Sequence, residues 1–300
     1  MDAAQNETPS QGSPWHVSVL LKESLEYLAI RPDGIYVDMT AGLGGHAGAI
    51  AAQLENGFVI ACDRDAESLQ MARARTEAVA ARVRFFHGAF SKLPEALREN
   101  GVSAVDGVLA DLGVSRYQLS SAERGFSLME DGPLDMRMDR SEELTAADLV
   151  NQLPERALAD LIYELGEERR SRRISRAIVR ARPIFTTGRL AQVVEKAVPR
   201  TGRMHPATQT FMALRLKVNG ELEELDELLR IVPERLRQGG RFVVLTFMSL
   251  EDRKVKRSFQ ALAREGQARI LTKHVVRPAD EEIFSNAASR SAKLRALERI

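Results

Sequence analysis

The chain has 300 residues, enough for one large domain or two ordinary ones. Hydrophobic residues make up 44% and charged residues 28%, yet the formal net charge is only +1, so nucleic-acid contacts would need local clusters of Arg and Lys. The single cysteine, Cys62, excludes an intrachain disulfide and argues against a Cys-based zinc site.

Residues 1–15 read as a polar, disordered leader, and no apolar run approaches the roughly 20 residues that cross a bilayer. A cytoplasmic protein with no membrane partner and no metal is expected. Strand and helix patterns then alternate. Gly34 to Thr40 reads as a buried strand, Ala47 to Leu54 as a helix and Gly57 to Asp63 as a second strand. Ala66 to Ala80 is a helix, Val83 to Phe86 a strand, Pro94 to Asn100 a helix and Asp106 to Asp111 a fourth strand. Units of this kind imply parallel pairing and a doubly wound α/β sheet.

The alternation stops at Leu112. Leu112 to Arg140 reads as loop, and helices follow: one capped at Thr145 with Asp148, a charged one over Glu167 to Arg180, and one capped by Thr187. From about Pro206 the residues Phe211, Leu214, Val218, Leu222, Leu225, Leu229 and Val232 recur at three or four positions, which predicts one long amphipathic helix. Gln238-Gly239-Gly240 ends it. Arg241 to Phe247 reads as a fifth strand, and Ser249 with Asp252 caps the helix Leu250 to Arg264. Arg269 to Val276 and Ala292 to Ile300 read as two last strands.

Ligands in doubly wound sheets bind at the carboxyl ends of the strands where the winding reverses. There the first strand leads into Gly42-Leu43-Gly44-Gly45-His46, and glycines let backbone and ligand approach without a Cβ clash. Asp63 ends the second strand, where a carboxylate can accept both ribose hydroxyls of an adenosine. The same glycine spacing would serve a nicotinamide dinucleotide, so an NAD(P)-dependent oxidoreductase stands beside a methyltransferase at this point. Asp111, ending the fourth strand, leans toward methyl transfer: an acceptor there can orient the N–H groups of an exocyclic amine, a poor nucleophile. The plainer alternative is that Asp111 only binds cofactor or caps the next turn.

Arg169, Arg173, Arg176 and Arg180 recur at helical spacing and offer a face for phosphates. The same pattern also fits a solvated helix laced with Glu–Arg pairs. Arg290 and Lys293 make a weaker second patch.

Several segments together resemble the bacterial 16S rRNA cytosine-N4 methyltransferases, the RsmH/MraW family. They include Tyr36-Val37-Asp38-Met39-Thr40, Gly44-Gly45-His46, Asp106 through Ser115, Glu123 through Ser127 and Gly132 through Asp139. Gly166 through Arg169, His205-Pro206-Ala207-Thr208, Ser249 through Arg253 and Arg290 through Arg295 complete the series, in order from His16 to the C-terminus. The resemblance implies a Rossmann-like, seven-stranded methyltransferase fold with an inserted all-helical domain. It places residues 16–111 and 206–300 in the methyltransferase domain and residues 112–205 in the insertion that recognises substrate. It implies S-adenosyl-L-methionine as cofactor, contacted at Gly44, Gly45, His46, Asp63, Phe90, Asp111 and Gln118; Phe90 and Gln118 rest on the resemblance alone. The implied partner is 16S rRNA in the small ribosomal subunit and the implied product a decoding-region cytidine methylated on N4. A homodimer is left open. The chain departs from the family pattern at Met248, Met212 and Gln209, in motifs on the substrate side, which leaves an altered RNA target or a non-catalytic assembly factor as alternatives.

Overall fold

A computed structural model of the chain describes residues 18–200, 202 and 204–300. The expected leader, residues 1–15, lies outside the described residues. Along the chain come α1 (Leu21–Leu28), β1 (Ile35–Asp38), α2 (Gly45–Ala52), β2 (Phe58–Asp63), α3 (Ala66–Arg75), β3 (Val83–His87), α4 (Leu93–Glu99) and β4 (Val105–Asp111). Next are α5 (Arg116–Ser120), α6 (Ala146–Gln152), α7 (Glu155–Gly166), α8 (Ser171–Ala181), α9 (Thr187–Ala197) and α10 (Thr208–Asn219). The chain ends with α11 (Glu221–Arg235), β5 (Leu236–Thr246), α12 (Ser249–Arg264), β6 (Ala268–Ile270), α13 (Asp280–Ser285) and β7 (Lys293–Arg299).

The seven strands form one sheet in the order β3-β2-β1-β4-β5-β7-β6. β1 through β5 run parallel to one another, and β7 runs antiparallel to β5 and β6. This is the expected Rossmann-like α/β fold. β1, β2 and β4 are apolar runs because helices cover both faces of the sheet. One core holds Val37, Ile60, Val108, Leu228 and Phe259, under α4, α11 and α12. The opposite face buries Tyr36, Ile50, Val59, Leu109 and Val243 under α1 and α2. The order reverses between β1 and β4, which puts the crevice at their carboxyl ends.

A second, separate core joins α6 to α10 through Leu149, Leu158, Ile162, Ile174, Ile178, Leu190, Phe211 and Leu214. α10 thus packs with the helices that precede it. The expected single helix from Pro206 to Val232 is two: Gly220, with φ 55°, closes α10 and opens α11. The stripe is continuous in sequence, but Phe211, Leu214 and Val218 serve the helical core while Leu225, Leu229 and Val232 serve the sheet.

Smaller differences have local causes. The expected loop Leu112 to Arg140 contains α5, started by a capping box in which the Ser115 hydroxyl accepts from the Gln118 amide and the Gln118 side chain accepts from the Ser115 amide. The charged helix begins at Ser171, not Glu167, because Glu167 takes the left-handed conformation (φ 52°) that ends α7. Glu251, not Asp252, caps α12, accepting from the Phe247 and Met248 amides at 3.0 and 3.1 Å. The strand expected to reach Val276 stops at Ile270. Leu271 and Thr272 both donate to the Ala296 carbonyl, and Val276 rejoins β7 as a single bridge to Leu294.

Candidate active site

At the tips of β1, β2 and β4 lies a cavity of about 380 Å³. Of the residues selected from the sequence, Gly45, His46, Asp63, Phe90, Asp111 and Gln118 line it. Gly44 does not: it is the N-cap of α2 with φ 83°, and a Cβ there would meet Ala72 and Thr76 at 3.1–3.2 Å, so it faces α3. Its lack of a side chain serves helix packing beneath the turn.

Asp63 is held from two sides. Gly42 donates its amide to one carboxylate oxygen at 2.7 Å and Asp65 donates to the other at 2.9 Å. The carboxylate is thereby fixed at the tip of β2 with lone pairs left for a ligand. Phe90 follows β3 in a short 3₁₀ turn (Phe90–Lys92), and Glu224 of α11 clamps that turn through the Ser91 amide and hydroxyl at 2.8 and 3.0 Å.

Asp111 leaves the tip of β4. Its own amide donates to the Thr40 hydroxyl at 2.6 Å, and that hydroxyl approaches Asp38 Oδ1 at 3.4 Å, so β1 and β4 are stitched together beneath the site. His46 Nδ1 stands 3.7 Å from Asp111 Oδ2, while its Nε2 donates to the Val19 carbonyl at 3.2 Å. Asp111 Oδ1 has no hydrogen-bond partner among the described residues. A buried, unpaired carboxylate oxygen is costly unless a ligand completes it.

The acidity of the site follows from its walls. Burial raises the Asp38, Asp63 and Asp111 carboxyls to about 7, about 6 and about 8. Repulsion between Asp38 and Asp63, and on Asp111 from Asp38 and Glu251, adds to the effect. The Asp111 side chain is 23% exposed, but it opens into the cavity, whose walls keep the local dielectric low. Asp63 and Asp111 present their carboxyls to the cavity while Asp38 lies beneath it, and Asp111 Oδ1 and Asp38 Oδ2 both lack a partner among the described residues. The two lining carboxyls fit a ligand that carries both positive charge and ribose hydroxyls.

Gln118 is 3% exposed. Its amide group donates to Asp65 at 2.7 Å and accepts from the Ser115 amide at 2.9 Å. Arg124, 2% exposed, reaches the same Asp65 oxygen and Glu67, each at 2.9 Å, and also the Arg137 and Met138 carbonyls. These two residues bind the turn after β2 to the segment leading into the helical core. Asp38, Arg124, Arg215, Glu221 and Glu251 were not selected from the sequence. An aspartate inside the apolar run of β1 was the one local signal for Asp38; the others are ordinary polar residues of turns and helices until the fold assembles them.

The arginines lie elsewhere. Arg173, Arg176 and Arg180 project from the exposed side of α8, whose other side buries Ile174 and Ile178. Arg169 belongs to the turn before α8, so it does not extend that helical face. Arg176 pairs with Glu155 at 3.4 Å. Arg290 is exposed two residues beyond Ala288 of the cavity wall, while Lys293 lies 3.5 Å from Asp252. Among the described residues no helix is long and apolar enough to cross a membrane.

The fold is the Rossmann-like α/β fold of a methyltransferase, an enzyme that takes S-adenosylmethionine. The chain belongs to the MraW methylase family, whose model matches residues 13–300. It is 62% identical over 283 residues to the ribosomal RNA small subunit methyltransferase H of Solibacter usitatus, covering 94% of this chain and 99% of that relative. It is 51% identical over 296 residues to the protein of the same name from Koribacter versatilis, covering 95% and 94%. Among solved structures it is similar to an rRNA methylase from Streptococcus thermophilus (TM-score 0.46, 11% identity, covering 95% of this chain and 99% of that one).

Proposed function

We propose that the chain methylates small-subunit ribosomal RNA, and that the acceptor is N4 of a decoding-region cytidine in 16S rRNA. The observation that carries the acceptor assignment is Asp111: a buried carboxylate oxygen without a partner, at the strand tip facing the glycine turn. When bound, S-adenosylmethionine supplies an electrophilic methyl group on a sulfonium. Asp63 would hold the ribose hydroxyls, the turn at Gly42–His46 would offer the amides of the α2 N-terminus, and Phe90 would supply an apolar wall of the same cavity.

Asp111 accepts an N–H of the cytosine amine and so turns the nitrogen toward the methyl group. In its ionised form it would then take the proton that the nitrogen loses as the N–C bond forms and the bond from the methyl carbon to the sulfonium sulfur breaks, which leaves a neutral thioether. A carboxyl raised to about 8 by burial and by its acidic neighbours is a competent proton acceptor near neutral pH. His46 braces Asp111 from the side of α2. Gln118 acts through Asp65, holding in place the turn that carries Asp63.

The helical core of α6–α10 serves as the recognition unit. Arg173, Arg176 and Arg180 on α8, with Arg169 before it, contact phosphates; Arg290 does so at the cavity rim, and Lys293 positions Asp252. The deciding experiment incubates the protein with labelled donor and small subunits lacking the modification, then maps the methyl group. N4-methylcytidine in the decoding region is the expected product. A methyl group on carbon, on another base or on protein would overturn the assignment, as would saturable NAD binding with none of S-adenosylmethionine.

A further inference from the structure

The cavity extends past Asp111 to a wall of different make-up. Arg215 from α10, Glu221 from the start of α11, Glu251 from α12 and the pair Phe247-Met248 after β5 all line it. Arg215 is aimed by its partner: Nε and Nη2 donate to the two Glu221 oxygens at 2.8 and 3.0 Å, a bidentate clamp on a side chain only 13% exposed. Nη2 also approaches the Met248 sulfur at 3.6 Å. Nη1 makes no hydrogen bond among the described residues, yet it is not one of the sealed, unsatisfied atoms. Nη1 is thus the guanidinium nitrogen left for a ligand, on a residue that lines the cavity. Glu251 stands between Arg215 and Asp111 electrostatically, feeling the first as attraction and pressing on the second.

One cavity therefore presents an acceptor, Asp111, and a fixed donor, Arg215, with an aromatic side chain, Phe247, in the same wall. Cytosine shows the complementary edge: the N4–H donors beside the N3 and O2 acceptors. Uracil inverts two of the three, offering O4 where cytosine has an amine and N3–H where it has a lone pair. A base turned out of its strand is commonly read by such hydrogen bonds together with stacking on a ring. We infer that Arg215, braced by Glu221, is a specificity-determining residue that donates Nη1 hydrogen bonds to the N3/O2 edge of the target cytosine. This rests on cytidine N4 as the acceptor and adds the subsite that selects it. The bracing explains why a flexible side chain can discriminate: the clamp removes the rotamer freedom that an unpaired arginine would lose on binding.

The test uses the full chain, with methyl transfer to unmodified small subunits, donor affinity by calorimetry, and inhibition by cytidine 5′-monophosphate against uridine 5′-monophosphate. In the unaltered protein the cytidine nucleotide should inhibit roughly tenfold more strongly than the uridine one, the worth of one discriminating hydrogen bond. Arg215→Lys should bring the two nucleotides to within about twofold and lower kcat/KM for subunits roughly tenfold to a hundredfold, with donor affinity kept within about twofold. Equal inhibition by the two nucleotides in the unaltered protein overturns the inference without needing any variant to fold. So does a variant that keeps the cytidine preference, or one whose donor affinity falls as far as its turnover, since Arg215 would then hold the donor's carboxylate. Mapping the methyl group in the unaltered protein separates the two levels: a product other than N4-methylcytidine removes the proposed function itself, whereas N4-methylcytidine with a fully active Arg215→Lys removes only the subsite.

Discussion

The two ends of the cavity are built on different plans. The end proposed for the donor is backbone: a glycine turn, the start of α2 and the turn after β2, with Asp63 fixed by two amides. The opposite end is made of side chains from α10, α11 and α12, and it holds its shape through one ion pair, Arg215 with Glu221. A cofactor of constant shape suits a rigid backbone cradle, while a base in a large RNA needs a surface that side chains can tune. Asp111 belongs to both, rooted in the sheet through Thr40 and facing the helices.

The sharpest way to break this division is Arg124, which ties the cradle to the helical side through Asp65, Glu67 and two carbonyls. Arg124→Met leaves the buried Asp65 carboxylate without its cation and should destabilise the fold by about 3–5 kcal/mol, read from the midpoint of urea unfolding. A shift within the error of that midpoint would mean the two sides stand independently. Next comes Asp111→Ala, expected to lower kcat roughly 100- to 1000-fold while donor affinity changes only a few-fold. Full turnover in that variant removes Asp111 from the chemistry.

The pH dependence of donor binding tests the carboxyls at and beneath the strand tips. Asp38, Asp63 and Asp111 titrate higher in the folded protein than in an unfolded chain. Their neutral forms therefore stabilise the donor-free fold at acid pH, and that contribution is lost as pH climbs through about 6 to about 8. A cationic donor favours the ionised cluster, so affinity should rise with pH across the same window, by up to about tenfold per unit, with protons released on binding. Calorimetry in buffers of different ionisation enthalpy measures both; flat affinity with no proton release would show that donor binding is not coupled to these carboxyls. The smallest effect expected is Gly220→Ala, about 1–2 kcal/mol of stability for a side chain forced into the left-handed region. Because Gly220 joins α10 to α11, the same variant should lose more activity toward RNA than affinity for the donor; equal losses would argue against the division.

The same contrast explains what could be read from the sequence. The glycine turn, Asp63 and Asp111 were legible because each sits at the end of a contiguous apolar strand, where position along the chain equals position in the fold. Gln118 rested on the resemblance alone because its buried partner, Asp65, lies in a distant segment. The break at Gly220 was hidden by an unbroken apolar stripe that two cores share. Arg215, Glu221 and Glu251 carry no local signature at all, since three helices must pack before they meet.

One consequence of the strand order concerns how the chain folds. β4 and β5 are neighbours in the sheet, joined along Gly107–Asp111 and Arg241–Leu245, yet residues 112–235 intervene between them. Closing so long a loop is entropically slow unless the intervening chain has already become compact. The helices between them therefore act as a collapsed spacer that brings β5 to the sheet edge, and β7 and β6 add only afterwards. Amides of β5 and β7 should gain protection later in refolding than those of β1 and β2, so the wall that Phe247 and Met248 give the cavity is completed last.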